Sequence, residues 1–194
     1  MLEPSFCQPT RISRSVARFG ALALAAILAA CGGSDDDGSA NAGATATLAV
    51  LETTDLHFNV RSYDYFKLAE DKSYGFERTA TQVRAARKEF ANTLLVDNGD
   101  TIQGTALADY EATISPIPCT QQLSMYKAMG ALGFDAGTLG NHEFNYGLPF
   151  LNQVLGGGLD VEGVDATKKC AGAGFPMALA NVYSSKTKKP LVQP

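Results

Sequence analysis

The sequence predicts an α/β layered fold in which strands and helices alternate along the chain. Three observations indicate it: short apolar runs typical of strands, longer segments with apolar residues at helical spacing, and polar blocks placed directly after the strands. With 194 residues, of which 45% are hydrophobic and 19% charged, the chain is long enough to bury a substantial core. This composition excludes collagen, coiled coils and wholesale disorder.

Four apolar runs are predicted to be strands. The first spans 46–54 and stops at Asp55, and we expect it to be a buried strand with its polar residues at its carboxyl end. The other three strands are predicted over 93–97, 134–139 and 175–182.

The helices are predicted to lie between these strands. Residues 77–91 carry apolar side chains at helical spacing and basic side chains on the opposite side, which indicates an amphipathic helix. A second helix is predicted over 123–132, ended by Gly133, and a third over 148–155. Because functional loops gather outside the carboxyl ends of the strands in such a fold, polar blocks that follow strands are expected to meet there.

The N-terminal segment is predicted to be a signal peptide. Three arginines precede an apolar run of small residues over 19–30, and its 12 residues are fewer than the roughly 20 that a membrane-spanning helix needs. The residues 28–31 resemble a bacterial lipobox, which implies cleavage before Cys31 and attachment of lipid to that residue. An ordinary signal peptide that happens to contain a cysteine is the alternative.

Three parts are therefore predicted: a lipoprotein signal peptide over 1–30, a flexible tether over 31–45 and a folded domain over 46–194. Such a protein is expected in the bacterial cell envelope on the periplasmic face, held to the membrane by its lipid or soluble in the periplasm. Removing residues 1–30, which contain three arginines and one glutamate, changes the net charge from −4 to −6. An acidic protein is not attracted to nucleic-acid backbones, so a nucleic-acid polymer is not an expected partner.

Two cysteines remain beyond Cys31, namely Cys119 and Cys170. In an oxidising envelope they are expected to form a disulfide, and two free thiols are the alternative. Neither cysteine has a histidine near it in the sequence, which makes a metal site there less favoured.

Two of the polar blocks follow the first two predicted strands. In an extended segment Asp55 and His57 would point the same way and could face one cation, although a turn-capping aspartate beside a surface histidine is the alternative. In the second block Gly99 would allow a close backbone approach to a ligand, and Asp100 offers two oxygens to metal ions. The alternative for this block is a simple turn, which Asn98-Gly99 favours.

The third block, over 140–147, is the most specific of the three. The amide oxygen of Asn141 could complete the coordination of a metal ion without adding charge, and His142 could donate a proton to a phosphate ester oxygen. Glu143 is interpreted as structural rather than as part of the site. A chance Asn-His-Glu string in a loop is the alternative.

Together the blocks resemble the D-x-H, G-D and G-N-H-E signatures of the calcineurin-like metallophosphoesterases. The longer stretches 51–57, 95–104 and 137–148 are similar to the 5′-nucleotidase family, in particular to its bacterial periplasmic 2′,3′-cyclic-nucleotide 2′-phosphodiesterase/3′-nucleotidase branch. The resemblance covers about 46–194. It implies a layered sandwich of mixed β-sheets flanked by helices.

The resemblance also implies roles for individual residues. Asp55 and His57 would bind a first metal ion, Asp100 would bridge two ions, and Asn141 would bind the second. His142 would act at the leaving oxygen. The implied cofactors are two divalent ions, Mn, Zn or Co, and the implied substrates are small nucleotides whose phosphate esters are hydrolysed for nucleotide scavenging.

The match departs from the family in two places. Related 5′-nucleotidases carry an aspartate three residues after the catalytic histidine, where this chain has Asn145. As a second catalytic residue, Asn145 would orient the ring of His142, but its amide cannot stabilise an imidazolium ion as a carboxylate does. This favours the cyclic-phosphodiesterase branch over a 5′-nucleotidase or nucleotide-sugar hydrolase. No histidine follows His142, whereas the family has later histidine ligands. We therefore expect a fragment with an incomplete C-terminal part. This chain alone should bind metal weakly and have poor activity or none, with a non-catalytic envelope lipoprotein as the alternative.

Overall fold

The structure, a computed structural model, describes residues 43–192, in which a compact unit begins at Ala46. The predicted signal peptide, most of the tether and the lipidation residue Cys31 lie outside the described residues. Among the described residues, no helix has both the length and the apolar character that crossing a bilayer requires.

The described part of the chain alternates strands with helices. Its strands are β1 Ala49–Thr53, β2 Tyr63–Asp64, β3 Ala69–Glu70, β4 Thr93–Asp97, β5 Ala136–Gly137, β6 Leu179–Tyr183 and β7 Pro190–Val192. Its α-helices are α1 Phe76–Glu89, α2 Ala106–Asp109, α3 Ser124–Leu132 and α4 Leu148–Val154. A π-helical turn follows α2 over Tyr110–Ile114, and a 3-10 turn precedes α4 over His142–Phe144.

The central sheet has three parallel strands in the order β1-β4-β5. Leu51 lies beside Leu95 in the first pair, and Val96 lies beside Ala136 in the second. Two antiparallel hairpins, β2-β3 and β6-β7, lie outside this sheet. Because all three central strands run the same way, their carboxyl ends lie at one edge, as the sequence predicted.

The first strand is less buried than the sequence predicted. Along β1 the side chains alternate between half-buried and exposed, and Val50 is 60% exposed while its neighbour Leu94 on β4 is 38% exposed. Within residues 43–192, β1 pairs with β4 alone and is an edge strand. The apolar run therefore buries one face of the sheet and leaves the other open.

The fourth predicted strand also differs from the expectation. One parallel bridge, between Gly137 and Met177, joins this segment to β5, with a hydrogen bond of 2.9 Å from the Gly137 N–H to the Pro176 carbonyl. The chain then leaves the sheet, and β6 pairs with β7 instead. Proline has no N–H to donate, which weakens a longer ladder at this position.

The apolar sides of helices α1 and α3 belong to the same buried core as Leu95 of β4. Helix α3 buries Met125, Tyr126, Met129 and Leu132, and it ends at Gly133 with a left-handed backbone (φ 78°), as predicted. Each methionine or leucine among them stabilises the fold by about 1.5–3 kcal/mol when fully buried. The Arg87 guanidinium of α1 donates to the carbonyls of Leu132 (2.5 Å) and Gly133 (2.7 Å), so it caps the carboxyl end of α3.

Cys119 and Cys170 form a disulfide bond in the structure. It joins the segment before α3 to the loop that follows α4, across 51 residues of sequence. The Ala171 N–H also donates to the Cys119 carbonyl at 2.9 Å, so backbone contact reinforces the same junction.

Candidate metal centre

Three loops meet at the carboxyl edge of the central sheet. The loop after β1 carries Asp55 and His57, the loop after β4 carries Asp100, and the segment after β5 carries His142. Backbone hydrogen bonds join the first two loops, from the Asp55 N–H to the Gly99 carbonyl (3.0 Å) and from the His57 N–H to the Asp100 carbonyl (2.9 Å). The loops therefore form one continuous backbone framework beneath the side chains.

The backbone of this framework is locally strained. Asp55, His57 and Asp100 all adopt left-handed conformations, with φ of 54°, 46° and 57°. Residues other than glycine seldom adopt this conformation, and such outliers cluster at functional sites. The sequence predicted that the two residues of the first block lie on an extended segment, and this prediction is wrong. A tight turn brings them together instead.

The second block is not a hairpin turn, because β4 is followed by a strand that pairs parallel to it. Gly99 has a positive φ of 89°, and a Cβ there would collide with the backbone nitrogen of Gly140. The sequence predicted that this glycine allows the backbone to approach a ligand. In the structure it allows a close approach between two loops of the protein. It brings Asp100 next to the third block.

Potential metal ligands converge in front of these loops. His57, Asp100 and His142 each offer a ligand atom, and these atoms all lie within 4.8 Å of one another. Asp55 lies beside this group, since its Oδ1 lies 3.4 Å from Nε2 of His57. Imidazole nitrogens with carboxylate oxygens form a donor set that suits divalent transition metals.

The third block surrounds Asp100. The His142 N–H donates to Oδ1 of Asp100 at 2.8 Å, which fixes the carboxylate and leaves Oδ2 for a ligand. Asn141, the predicted ligand of a second metal ion, immediately precedes the 3-10 turn and is exposed. Its role as a ligand stays a prediction.

Glu143 is fully buried, with an exposed fraction of 0%. Its Oε2 accepts from the N–H groups of Asp100 (2.9 Å) and Gly140 (2.6 Å), and its Oε1 accepts from those of Thr101 (2.5 Å) and Ile102 (3.2 Å). One carboxylate therefore binds the backbone of the second and third blocks together beneath the site. Its contacts match a structural interpretation.

Gln103 is a site residue that the sequence reasoning missed. Its carbonyl oxygen lies 3.1 Å from Nδ1 of His57, and its side-chain oxygen is hydrogen-bonded to Nδ1 of His142. Asn145, predicted to orient His142, places its Nδ2 3.2 Å from the Gln103 side-chain oxygen and 3.3 Å from His142 Nδ1. The only signal was the position of Gln103 three residues after Asp100, since glutamine is not a residue type that marks a site.

Behind the metal-binding loops lies Asp97, the last residue of β4. It is buried and accepts hydrogen bonds from the hydroxyls of Thr53 (2.6 Å) and Thr101 (2.7 Å) and from the Gly99 N–H (3.2 Å). Burial raises the pKa of the Asp97 carboxyl above its usual value, and the two hydroxyls and the Gly99 N–H oppose this rise. Asp97 therefore supports the loops from below and does not face the cluster.

An open pocket of about 360 Å³ adjoins the cluster on the side of Asp55. It is also lined by Tyr74, which precedes α1, and by Arg78 in the first turn of that helix. A larger pocket of about 660 Å³ lies elsewhere, between the β6-β7 hairpin and the loop after α4, and none of its lining residues belongs to the three loops. Of these two pockets, the smaller one is lined by a candidate metal ligand, Asp55.

No protein-family profile matches the chain. Over 151 residues it is 45% identical to the 2′,3′-cyclic-nucleotide 2′-phosphodiesterase/3′-nucleotidase of Yersinia enterocolitica, a match that covers 78% of this chain and 21% of the relative. It is 42% identical over 177 residues to the protein of the same name from Salmonella typhimurium, covering 91% of this chain and 24% of that protein. The chain thus spans about a quarter or less of the length of these curated relatives.

Among solved structures, the calcineurin-like phosphoesterase YfkN from Bacillus subtilis is 39% identical to this chain, with a TM-score of 0.62. The match covers 76% of this chain and 40% of that one. The resemblance and the fold class inferred from the sequence motifs are confirmed by these similarities.

Proposed function

We propose that this chain, a homologue of the N-terminal part of calcineurin-like phosphoesterases, is the metal-binding part of an enzyme that hydrolyses nucleotide phosphate esters. The observation that carries the proposal is the convergence of Asp55, His57, Asp100 and His142 from three loops at one edge of the sheet. The names of the relatives specify 2′,3′-cyclic nucleotides and 3′-nucleotides, so we assign that substrate class to the whole protein.

The donor set supports binding of two divalent cations. We assign Asp55 and His57 to one ion, Asp100 to both and Asn141 to the other. Mn, Zn or Co fits a site that combines imidazole with carboxylate and amide oxygens. Such ions, when bound, activate water and neutralise the charge that develops on a phosphate ester.

The protein residues contribute positioning and proton transfer. The hydrogen bond from the His142 N–H to Oδ1 holds the Asp100 carboxylate in place and leaves Oδ2 for a ligand. His142 is assigned the transfer of a proton to the leaving oxygen of the ester. Asn145 would orient the imidazole through its hydrogen bond to the side-chain oxygen of Gln103, but a neutral amide cannot stabilise an imidazolium ion as the aspartate of 5′-nucleotidases would.

The proposed location is the periplasmic face of the bacterial cell envelope, with lipid on Cys31 as the anchor. The apolar run before Cys31 supports an exported lipoprotein, and the Cys119–Cys170 disulfide is consistent with an oxidising compartment. Fractionation of cells that express the chain tests this: Cys31→Ser should release the protein from the membrane fraction. Unchanged membrane association would contradict the anchor.

Metal binding and hydrolysis together test the proposed function. Calorimetric titration with Mn²⁺ should show binding by the 194-residue chain that is lost in Asp100→Asn. The matched control is Asp165→Asn, which neutralises an exposed carboxylate outside the three loops. Hydrolysis is followed with 2′,3′-cyclic AMP, 3′-AMP and 5′-AMP, using this chain and the product of any reading frame that continues downstream.

Each outcome of this experiment separates the alternatives. Mn²⁺-dependent cleavage of 2′,3′-cyclic AMP that is lost only in Asp100→Asn supports the proposal. Preference for 5′-AMP or a nucleotide sugar would support the 5′-nucleotidase alternative instead. Absence of metal binding and hydrolysis in both this chain and the longer product would refute the enzyme and leave a non-catalytic lipoprotein.

A further inference from the structure

We infer that Gln103 is a positioning residue that sets the tautomers of both histidines in the candidate metal centre. The chain contains two histidines, His57 and His142, and Gln103 contacts Nδ1 of each. The backbone carbonyl makes one contact and the side-chain amide makes the other. Any catalytic role of this arrangement rests on the proposed function. The assignment of the tautomers does not depend on it.

The tautomer of His57 follows from the chemistry of its partner. A backbone carbonyl oxygen can only accept a hydrogen bond, so the contact of 3.1 Å to Gln103 requires the hydrogen to be on Nδ1 of His57. Nε2 then keeps its lone pair. This atom lies 3.4 Å from Oδ1 of Asp55 and so faces the ligand cluster.

The side chain of Gln103 has the corresponding effect on His142. Its oxygen is hydrogen-bonded to Nδ1 of His142 and lies 3.2 Å from Nδ2 of Asn145, and one amide oxygen has two lone pairs to accept from both. The reversed amide would place its NH₂ group against the NH₂ group of Asn145. The oxygen-inward orientation therefore puts the hydrogen of the neutral ring on Nδ1 of His142.

The local backbone brings Gln103 close enough for both contacts. The residue after it is Gly104, and a Cβ at Gly104 would lie 2.7 Å from the Cβ of His57. The two residues before it, Thr101 and Ile102, donate their N–H groups to the buried Glu143 carboxylate. Gln103 is therefore held between a fixed loop and the first histidine.

Nitrogen-15 NMR of the metal-free 194-residue chain tests the inference directly. Spectra are recorded above the ordinary histidine pKa of about 6.5, where neutral tautomers are resolved by the shifts of the two ring nitrogens. Both histidines of the wild type should carry the hydrogen on Nδ1. Gln103→Ala should move His142 toward the Nε2–H tautomer, while His57 stays unchanged because the backbone carbonyl is retained.

Two further variants make the result specific. Gln103→Glu keeps an acceptor oxygen and should return His142 to the Nδ1–H tautomer, whereas Gln121→Ala, an exposed control, should alter neither ring. A wild-type His142 with its hydrogen on Nε2, or equal changes at both histidines in Gln103→Ala, would overturn the inference. The NMR samples contain neither metal nor substrate, so failure of the proposed hydrolysis would not change the tautomer result. A failed tautomer prediction would likewise leave the proposed hydrolysis untouched.

Discussion

Replacement of Glu143 should lower the free energy of unfolding more than replacement of an exposed carboxylate does. Its side chain is fully buried and accepts four backbone N–H groups, two on each oxygen. Glu143→Gln keeps the shape but replaces one oxygen with an NH₂ group. Two of the four N–H donors then face a donor and lose their hydrogen bonds.

The expected loss follows from these contacts. A hydrogen bond to a charged group contributes about 1.5–3 kcal/mol, so losing two lowers the free energy of unfolding by about 3–6 kcal/mol. Domains of this size are stable by about 5–15 kcal/mol in total. At about 2–4 °C for each kcal/mol, the melting temperature should fall by about 6–24 °C.

Urea unfolding followed by circular dichroism measures this loss, with Glu162→Gln as the matched control. Glu162 is exposed in the loop after α4, and its neutralisation should change the free energy of unfolding by no more than about 0.5 kcal/mol. A Glu143→Gln protein as stable as this control would refute the assignment of Glu143 as the carboxylate that joins the two loops.

Three further perturbations have defined outcomes. Replacing Cys119 and Cys170 together by serine removes a cross-link over 51 residues, which should lower the free energy of unfolding in urea by about 4 kcal/mol; an unchanged midpoint would argue against the bond. Arg87→Ala removes two hydrogen bonds at the end of α3 and should cost about 1–3 kcal/mol in thermal unfolding, with Arg87→Lys less affected. Because burial raises the pKa of Asp97 above 3.8, its contribution to stability is complete below the unfolded pKa and is lost as pH rises through the higher folded pKa. As the pH rises above about 3.8, Asp97→Asn should therefore gain stability relative to the wild type, and a constant difference would contradict the shift.

Several elements were predictable because their signals are local. Helix α1 was predicted over 77–91 and occupies Phe76–Glu89, since apolar periodicity reports directly on the buried side of a helix. Strand β4 has the bounds predicted from its apolar run, and Gly133 ends α3 because it can adopt a left-handed backbone.

Burial of the strands was less predictable. The apolar run of β1 is compatible with burial on two faces, yet one face of the sheet is open at Val50 and Leu94 in the described residues. Whether a strand lies in the middle or at the edge of a sheet depends on its pairing partners, which the strand itself does not encode. The predicted strand over 175–182 contributes one bridge to the central sheet, at Met177, for a similar reason: β6 pairs with β7 instead.

The sequence by itself determined which polar residues follow which strands, and so placed Asp55, Asp100 and His142 at one edge of an α/β sheet. Only the tertiary structure decided how they meet: through a left-handed turn, through the Glu143 carboxylate and through Gln103 between two histidines. The physical reason is distance along the chain. Local residue patterns determine periodicity and chain turns, whereas hydrogen bonds between residues about 40 positions apart depend on the path of the folded backbone.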